Sequence, residues 1–233
     1  MPANEFLLPQ GRLIFSYDLP DSIYTLVTGG RAPAKDWLSA ARRGHLWALD
    51  HGIDICHEMR LLPERLIGDG DSASPQAWDW ALASGVRTEH FSPRKDLTDT
   101  QIALHRLKEA HTPCFLLITG AFGGRFDHAM STIFSFAHMH LPGLLADEKE
   151  ACFFLRGNER LAFAAEKKAK AISLLPMTEE CLGVNLEGTV WPLQSARLSQ
   201  HEPYAVSNEF AVGSSSFSIS LAKGVLAVYL YWE

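Results

Sequence analysis

The sequence lacks the basic surplus, paired thiols and long apolar runs that mark several large protein classes. Lys and Arg number 21 against 27 Asp and Glu, a formal net charge of −6. Without a broad positive field, neither nucleic acid nor an anionic membrane is expected as the main partner. A local phosphate site is still compatible with that balance. The four cysteines, Cys56, Cys114, Cys152 and Cys181, are widely spaced and form no C-x-x-C pair. Such spacing reads as reduced thiols, not as zinc ligands or a disulfide framework. No apolar run approaches the ~18 residues of a bilayer span. The opening "MPANEFLLPQGRLIF" has no basic stretch followed by an apolar one, as a secretory leader would. There is no internal repeat and no low-complexity tract. A cytoplasmic setting is expected.

What is present is ample core material: 233 residues, 47% hydrophobic, enough for one large domain or two modest ones. From about residue 24 to 140, short apolar runs alternate with helical periods. "YTLVT", "LWALD", "RLIGD", "VRTEHF" and "CFLLIT" read as strands. "AKDWLSAARR", "PQAWDWALAS", "LTDTQIALHRLKEAH" and "DHAMSTIFSFAHM" read as helices. That alternation predicts βαβ units and a mostly parallel, doubly wound sheet. The rhythm changes near "HLPGLLADEKEA" to short runs with turn signals, as in an antiparallel β domain. The expected organisation is an α/β domain over 1–145 and a β-sandwich domain over 146–233.

In open α/β sheets, ligands bind beyond the carboxyl ends of the strands. Three such ends are unusual here. In "RLIGDGDSAS", Asp69 and Asp71 stand two apart, so in an extended segment both carboxylates point the same way; an Asp/Ser turn capping the helix near Pro75 accounts for part of it. In "RKDLTDTQ", Asp96 as N-cap and Asp99 in the first turn are ordinary helix-start chemistry. That leaves Arg94 and Lys95 unexplained. In "GAFGGRFDHAM", glycines let the backbone approach a ligand and the next helix offers its first N–H groups to an anion. Arg125 can add a bidentate phosphate contact. The spacing matches neither the dinucleotide fingerprint nor the P-loop.

Four carboxylates beside a phosphate site repel it. Two unit charges 4 Å apart cost about 4 kcal/mol at an effective dielectric of ~20. A divalent cation between them removes the conflict, and hard oxygen donors favour Mg²⁺. The pattern therefore points to a metal–polyphosphate site without naming a reaction.

"GDGDS", "KDLTD" and "GGRFDH", in that order, resemble the motifs of the thiamine pyrophosphokinase family. "GTVWPL" followed by "VSNEF" resembles that family's thiamine-binding β domain. The resemblance runs from about residue 24 to the C-terminus. It implies transfer of the β,γ-diphosphate of ATP to the hydroxyl of thiamine, with Mg²⁺, giving thiamine diphosphate and AMP, in a homodimer. On the matching positions, it implies that Asp69, Asp71 and Asp99 hold the metal, with Asp96 beside them and Asp71 or Asp99 as candidate base. It places ATP near Ser72, Thr98, Gln101, Gly123, Gly124 and Arg125, with Asp127 and His128 shaping the loop. Thiamine would meet Trp191, Ser207, Asn208 and Asp50. "GGRAP" corresponds to the loop after the first strand.

Two positions depart from the family pattern. Asp50-His51-Gly52 stands where Asp-Gly-Gly is usual, so a histidine side chain crowds or supplements a backbone contact. Val206 stands where a more permissive backbone is expected. The competing functions are a pyrophosphokinase for another hydroxymethyl heterocycle, such as a pterin, and a non-catalytic nucleotide or thiamine sensor. Trp191 itself reads equally as an aromatic ligand contact or as a core tryptophan of the sandwich.

Overall fold

The computed structural model describes residues 2–92 and 96–232. Arg94 and Lys95 lie outside the described residues. The chain begins with a hairpin of β1 (Glu5–Leu8) and β2 (Gly11–Phe15). An alternating series follows: β3 (Ser22–Val27), α1 (Lys35–Ala41), β4 (His45–Leu49), α2 (Gly52–Met59), β5 (Arg65–Gly68) and α3 (Pro75–Ala83). It continues through β6 (Arg87–His90), α4 (Asp99–Glu109), β7 (Cys114–Thr119), α5 (Phe126–Met139) and β8 (Gly143–Ala146). Seven further strands complete the described chain: β9 (Glu150–Arg156), β10 (Arg160–Ala165), β11 (Ala171–Pro176), β12 (Glu180–Glu187), β13 (Leu193–Ser199), β14 (Ser216–Ser220) and β15 (Val225–Tyr231).

Two compact units result, one of Pro20–Asp147 and one of Met1–Leu19 with Glu148–Glu233. Where the sequence reading places residues 1–19 with the α/β segment, the structure pairs β2 antiparallel to β10, Leu13 opposite Phe163. Leu13 and Phe163 are fully buried, so the hairpin brings its own apolar face to the β unit. Only alternation over a few residues signals it, too little to assign a partner from sequence.

The α/β unit has strands in the order β8-β7-β3-β4-β5-β6, all parallel. Strand β7, between β8 and β3, reads "CFLLIT" and is buried at every position, as a strand covered on both faces must be. Helices α2 and α3 cover one region through Ile53, Cys56, Ala77 and Ala81, packed with Val27, Leu46 and Leu66. The periodicity missed α2. Its eight residues begin directly on the turn after β4, too short for a helical period to stand out. Strand order reverses between β3 and β7, and this switch point is where an open α/β sheet leaves a crevice.

The β unit holds two antiparallel sheets, β1-β2-β10-β14-β12-β13 and β11-β15-β9. Aromatic rings pack in its interior: Phe163 lies 5.8 Å from Phe217 and 6.0 Å from Trp232 between centroids. All four cysteines are free and buried. No helix among the described residues is long and apolar enough to cross a membrane.

One close approach sets the start of α2. A Cβ at Gly52 would lie 1.9 Å from the carbonyl oxygen of Val27, at the end of β3. Because backbone is what it meets, relief requires moving the helix or the strand. Gly52→Ala is expected to lower the unfolding free energy by roughly 1–3 kcal/mol or more, read as a fall in the urea midpoint. An unchanged midpoint would show that α2 shifts freely.

Candidate functional site

A cleft of about 650 Å³ opens at the carboxyl ends of β3, β4, β5 and β7. It is built from turns that only particular residues permit. After β4, Asp50 adopts φ 48°, a left-handed conformation that costs most side chains but suits aspartate better than most. Its N–H donates to the Ile67 carbonyl of the neighbouring strand at 2.8 Å, which fixes the turn to β5. On β5, Gly68 makes room: a Cβ there would stand 2.9 Å from the Cα of Asp50. The two strand ends therefore close on each other, and Asp69 arrives beside Asp50.

Carboxylate oxygens of Asp50, Asp69 and Asp99 all lie within 4.8 Å of one another. Each pair of charges so placed repels by about 3–4 kcal/mol at an effective dielectric of ~20. Oδ2 of Asp50 accepts a hydrogen bond from the Ser72 hydroxyl. Its Oδ1 is buried and has no hydrogen-bond partner. A buried carboxylate oxygen left in that state, facing two more carboxylates, matches the donor set of a hard divalent cation.

The expected trio of Asp69, Asp71 and Asp99 thus differs in one member, with Asp50 grouped where Asp71 was expected. The reason is local. Two-residue alternation holds in a strand, but β5 ends at Gly68 and Gly70 turns the chain with φ 72°. Asp71 instead donates its N–H to Oδ1 of Asp69 at 3.3 Å, and it lines the cleft as an exposed residue. Trp78 lies under this turn, its ring 3.4 Å from where a Gly70 Cβ would sit. Ser74 caps α3 as expected, accepting the Ala77 N–H at 3.2 Å.

At α4 the N-cap is Thr98, not Asp96. Thr98 accepts the Gln101 N–H, and the Gln101 side chain accepts the Thr98 N–H at 2.9 Å in a capping box. The other end of that amide donates to Ser135 on α5 at 3.0 Å. Gln101 therefore joins two helices and does not line the cleft. Asp96, Thr98 and Asp99 do line it, as do Asp50, Asp69 and Ser72.

The opposite wall is glycine. Gly30 donates to the Gly120 carbonyl at 2.7 Å and Arg31 to the Phe122 carbonyl at 2.6 Å, so the turns after β3 and β7 run against each other. A Cβ on Gly30 would fall 2.3 Å from the Gly120 oxygen. Arg31 is anchored by an ion pair, 2.6 Å, with the fully buried Asp147. No local pattern signals this support, because its partners are far apart in the chain and only "GGRAP" marks the loop. Arg125 precedes α5 without a side-chain cap and pairs with Asp127 at 2.6 Å. That guanidinium holds the Asp127 carboxyl below the usual carboxylate range, and the His128 N–H adds to the effect. Gly124, Arg125 and His128 line the cleft, whereas Gly123 and Asp127 are exposed and do not line it.

In the β unit, Trp191 is 59% exposed, which excludes the core-tryptophan reading; the fully buried tryptophan is Trp232. Asn208 is buried and grips Trp191 twice, accepting its N–H at 3.1 Å and donating to its carbonyl at 2.6 Å. The backbone strain expected at Val206 falls one residue later, on Ser207, with φ 59°. Its N–H donates to the Ser173 hydroxyl at 3.0 Å.

Residues 40–144 match the description "Thiamin pyrophosphokinase, catalytic domain", and residues 159–226 match "Thiamin pyrophosphokinase, vitamin B1 binding domain". The chain belongs to the thiamin pyrophosphokinase family. Thiamine pyrophosphokinase 2 of Oryza sativa subsp. japonica is 33% identical over 97 residues, 38% of this chain and 36% of that protein. Thiamine pyrophosphokinase 1 of the same organism is 26% identical over 160 residues, 64% of this chain and 60% of that protein. The chain thus spans less than two thirds of either rice relative. A thiamine pyrophosphokinase structure from Bacillus subtilis has a TM-score of 0.79 at 21% identity, covering 91% of this chain and 100% of that one. One from Candida albicans has a TM-score of 0.73 at 14% identity, covering 100% and 97%. At these identities the likeness shows the thiamin pyrophosphokinase fold: a parallel α/β unit with antiparallel β sheets.

The Asn208 clamp gives a measurable consequence. Asn208→Ala leaves the Trp191 N–H and C=O without those partners, at a cost of roughly 1–3 kcal/mol. Urea unfolding is expected to show that loss, and the anisotropy difference between Asn208→Ala and Asn208→Ala/Trp191→Phe to show a more mobile indole. Unaltered stability and anisotropy would mean that Trp191 is held by something else.

Proposed function

We propose that the chain transfers the β,γ-diphosphate of ATP to the hydroxyl of thiamine, releasing AMP. The observation that carries this reading is the group of Asp50, Asp69 and Asp99 at one cleft whose other wall is a glycine turn and the start of α5. Three like charges gathered beside an anion-binding helix start make sense with a cation between them and a polyphosphate. When bound, Mg²⁺ would neutralise phosphate oxygens and polarise the transferred group. Asp50, Asp69 and Asp99 would hold it. Ser72 orients Asp50 by the hydroxyl contact described above.

In the reaction, the bond between thiamine oxygen and the β-phosphorus forms as the bridge between the α- and β-phosphates breaks, and AMP carries off the bridging oxygen. Such transfers need positioning and charge neutralisation more than a strong base. Backbone N–H groups of the Gly120–Arg125 turn and the Arg125 guanidinium supply positive contacts to phosphate oxygens. Asp71, at the cleft but outside the trio, is suited to take the hydroxyl proton. Trp191 offers an exposed indole face to a cationic heterocycle, worth on the order of 0.5–2 kcal/mol.

The same reading carries a homodimer and a cytoplasmic setting. Val190, Trp191 and Val206 supply exposed apolar surface for a ligand or partner, and four buried free thiols suit a reducing compartment.

Incubation with ATP, Mg²⁺ and thiamine is expected to yield AMP and thiamine diphosphate in equal amounts, with a pterin alcohol as an inactive parallel. Asp69→Asn and Asp99→Asn are expected to cut kcat/KM on the order of 10²-fold or more. Product from the pterin alone would move the assignment to another acceptor. Nucleotide binding with no AMP from either would leave a sensor.

A further inference from the structure

His51 stands at the N-cap of α2, and its ring is built into the cleft wall. Its Nδ1 lies 3.1 Å from the Ser72 carbonyl oxygen and 3.1 Å from Oδ2 of Asp54. Both neighbours are acceptors, so Nδ1 carries the hydrogen and is shared between them. Asp54, in the first turn of α2, also accepts the Ser74 N–H at 3.1 Å. The turn carrying Asp69 is thus held at Ser72 by His51 and at Ser74 by Asp54, while the Ser72 hydroxyl donates to Asp50. The room for the ring comes from Gly29, where a Cβ would fall 2.7 Å from the Cβ of His51.

We propose that His51, backed by Asp54, is a positioning residue that latches the Asp69–Ser72 turn onto Asp50 and so assembles the three-carboxylate group before any cation arrives. The inference rests on the cation reading of that group. Repulsion among the three carboxylates opposes the assembly, and Gly70, at φ 72°, turns the chain beyond the end of β5, where no strand pairing among the described residues fixes Asp69–Ser72. A hydrogen bond to the Ser72 backbone holds it without adding charge to the acidic group.

The probe is Mn²⁺ alone, with binding to the full chain followed by the loss of its free-ion electron paramagnetic resonance signal. In His51→Asn the amide nitrogen sits as many bonds from Cα as Nδ1, whereas in His51→Gln it sits one bond too far. His51→Gln is expected to bind Mn²⁺ about 10-fold more weakly, and His51→Asn within roughly threefold of wild type. Gly29→Ala, which crowds the ring and leaves its chemistry intact, is expected to weaken binding too and decides the matter if His51→Gln fails to fold. Equal affinity in wild type, His51→Gln and Gly29→Ala overturns the latch, as does an Asn variant no better than the Gln variant. If wild type itself takes up no Mn²⁺, the cation reading fails and the latch falls with it.

Discussion

Mutual repulsion among carboxylates is the constraint around which the α/β unit is arranged. Asp50, Asp69 and Asp99 come from three separate turns, after β4, after β5 and at the start of α4, and nothing local requires them to meet. Holding them within 4.8 Å consumes free energy that the sheet must supply. It does so through rigid means: a parallel sheet buried on both faces, a turn bonded to the adjacent strand, and glycines where any Cβ would hold the chains apart. A cluster maintained at such cost fits a role in which its charge is used, since protein interiors otherwise separate or pair like charges.

Glycine and hydrogen bonding divide that task. Gly52, Gly68 and Gly30 each admit a backbone approach that a methyl group would block, at Val27, Asp50 and Gly120. Side chains then lock what the glycines admit. Ser72 fixes Asp50, the Thr98–Gln101 box fixes the start of α4 that bears Asp99, and the Arg31–Asp147 pair anchors the turn against the glycine wall. Functional groups on strand-end turns are positioned by a scaffold in this way because the turns themselves have little packing.

The strand–helix alternation was legible because β7, α3 and α5 have periods long enough to recognise, and the candidate site was legible because ligands of an open α/β sheet gather at its strand ends, where the acidic and glycine-rich motifs fall. The hairpin at residues 5–15 was not, since pairing between β2 and β10 joins residues some 150 apart, a distance that local pattern does not encode. The two-residue spacing of Asp69 and Asp71 does not put both carboxylates on one side here, because Gly70 turns left-handed after β5 ends and the extended-chain rule ceases to apply. Gln101 illustrates another limit. Its side chain is polar and sits beside the cleft residues, but Thr98 and Ser135 occupy both ends of its amide, and only coordinates reveal a partner on another helix.

Trp191 and Trp232 show the same distinction between residue type and placement. Both are tryptophans of the β unit. Trp232 donates its indole N–H to the Lys167 carbonyl at 2.9 Å and is fully buried, a satisfied core residue. Trp191 keeps its ring in solvent while Asn208, itself buried, holds its backbone from both sides. Exposing an indole forfeits on the order of 2 kcal/mol of apolar burial, whereas the two Asn208 bonds stabilise the backbone without requiring the ring to face water. A fold gains nothing in stability from leaving that ring in solvent. The proposed contact with a cationic heterocycle accounts for that exposure, so exposure, and not residue identity, carries the proposal for Trp191.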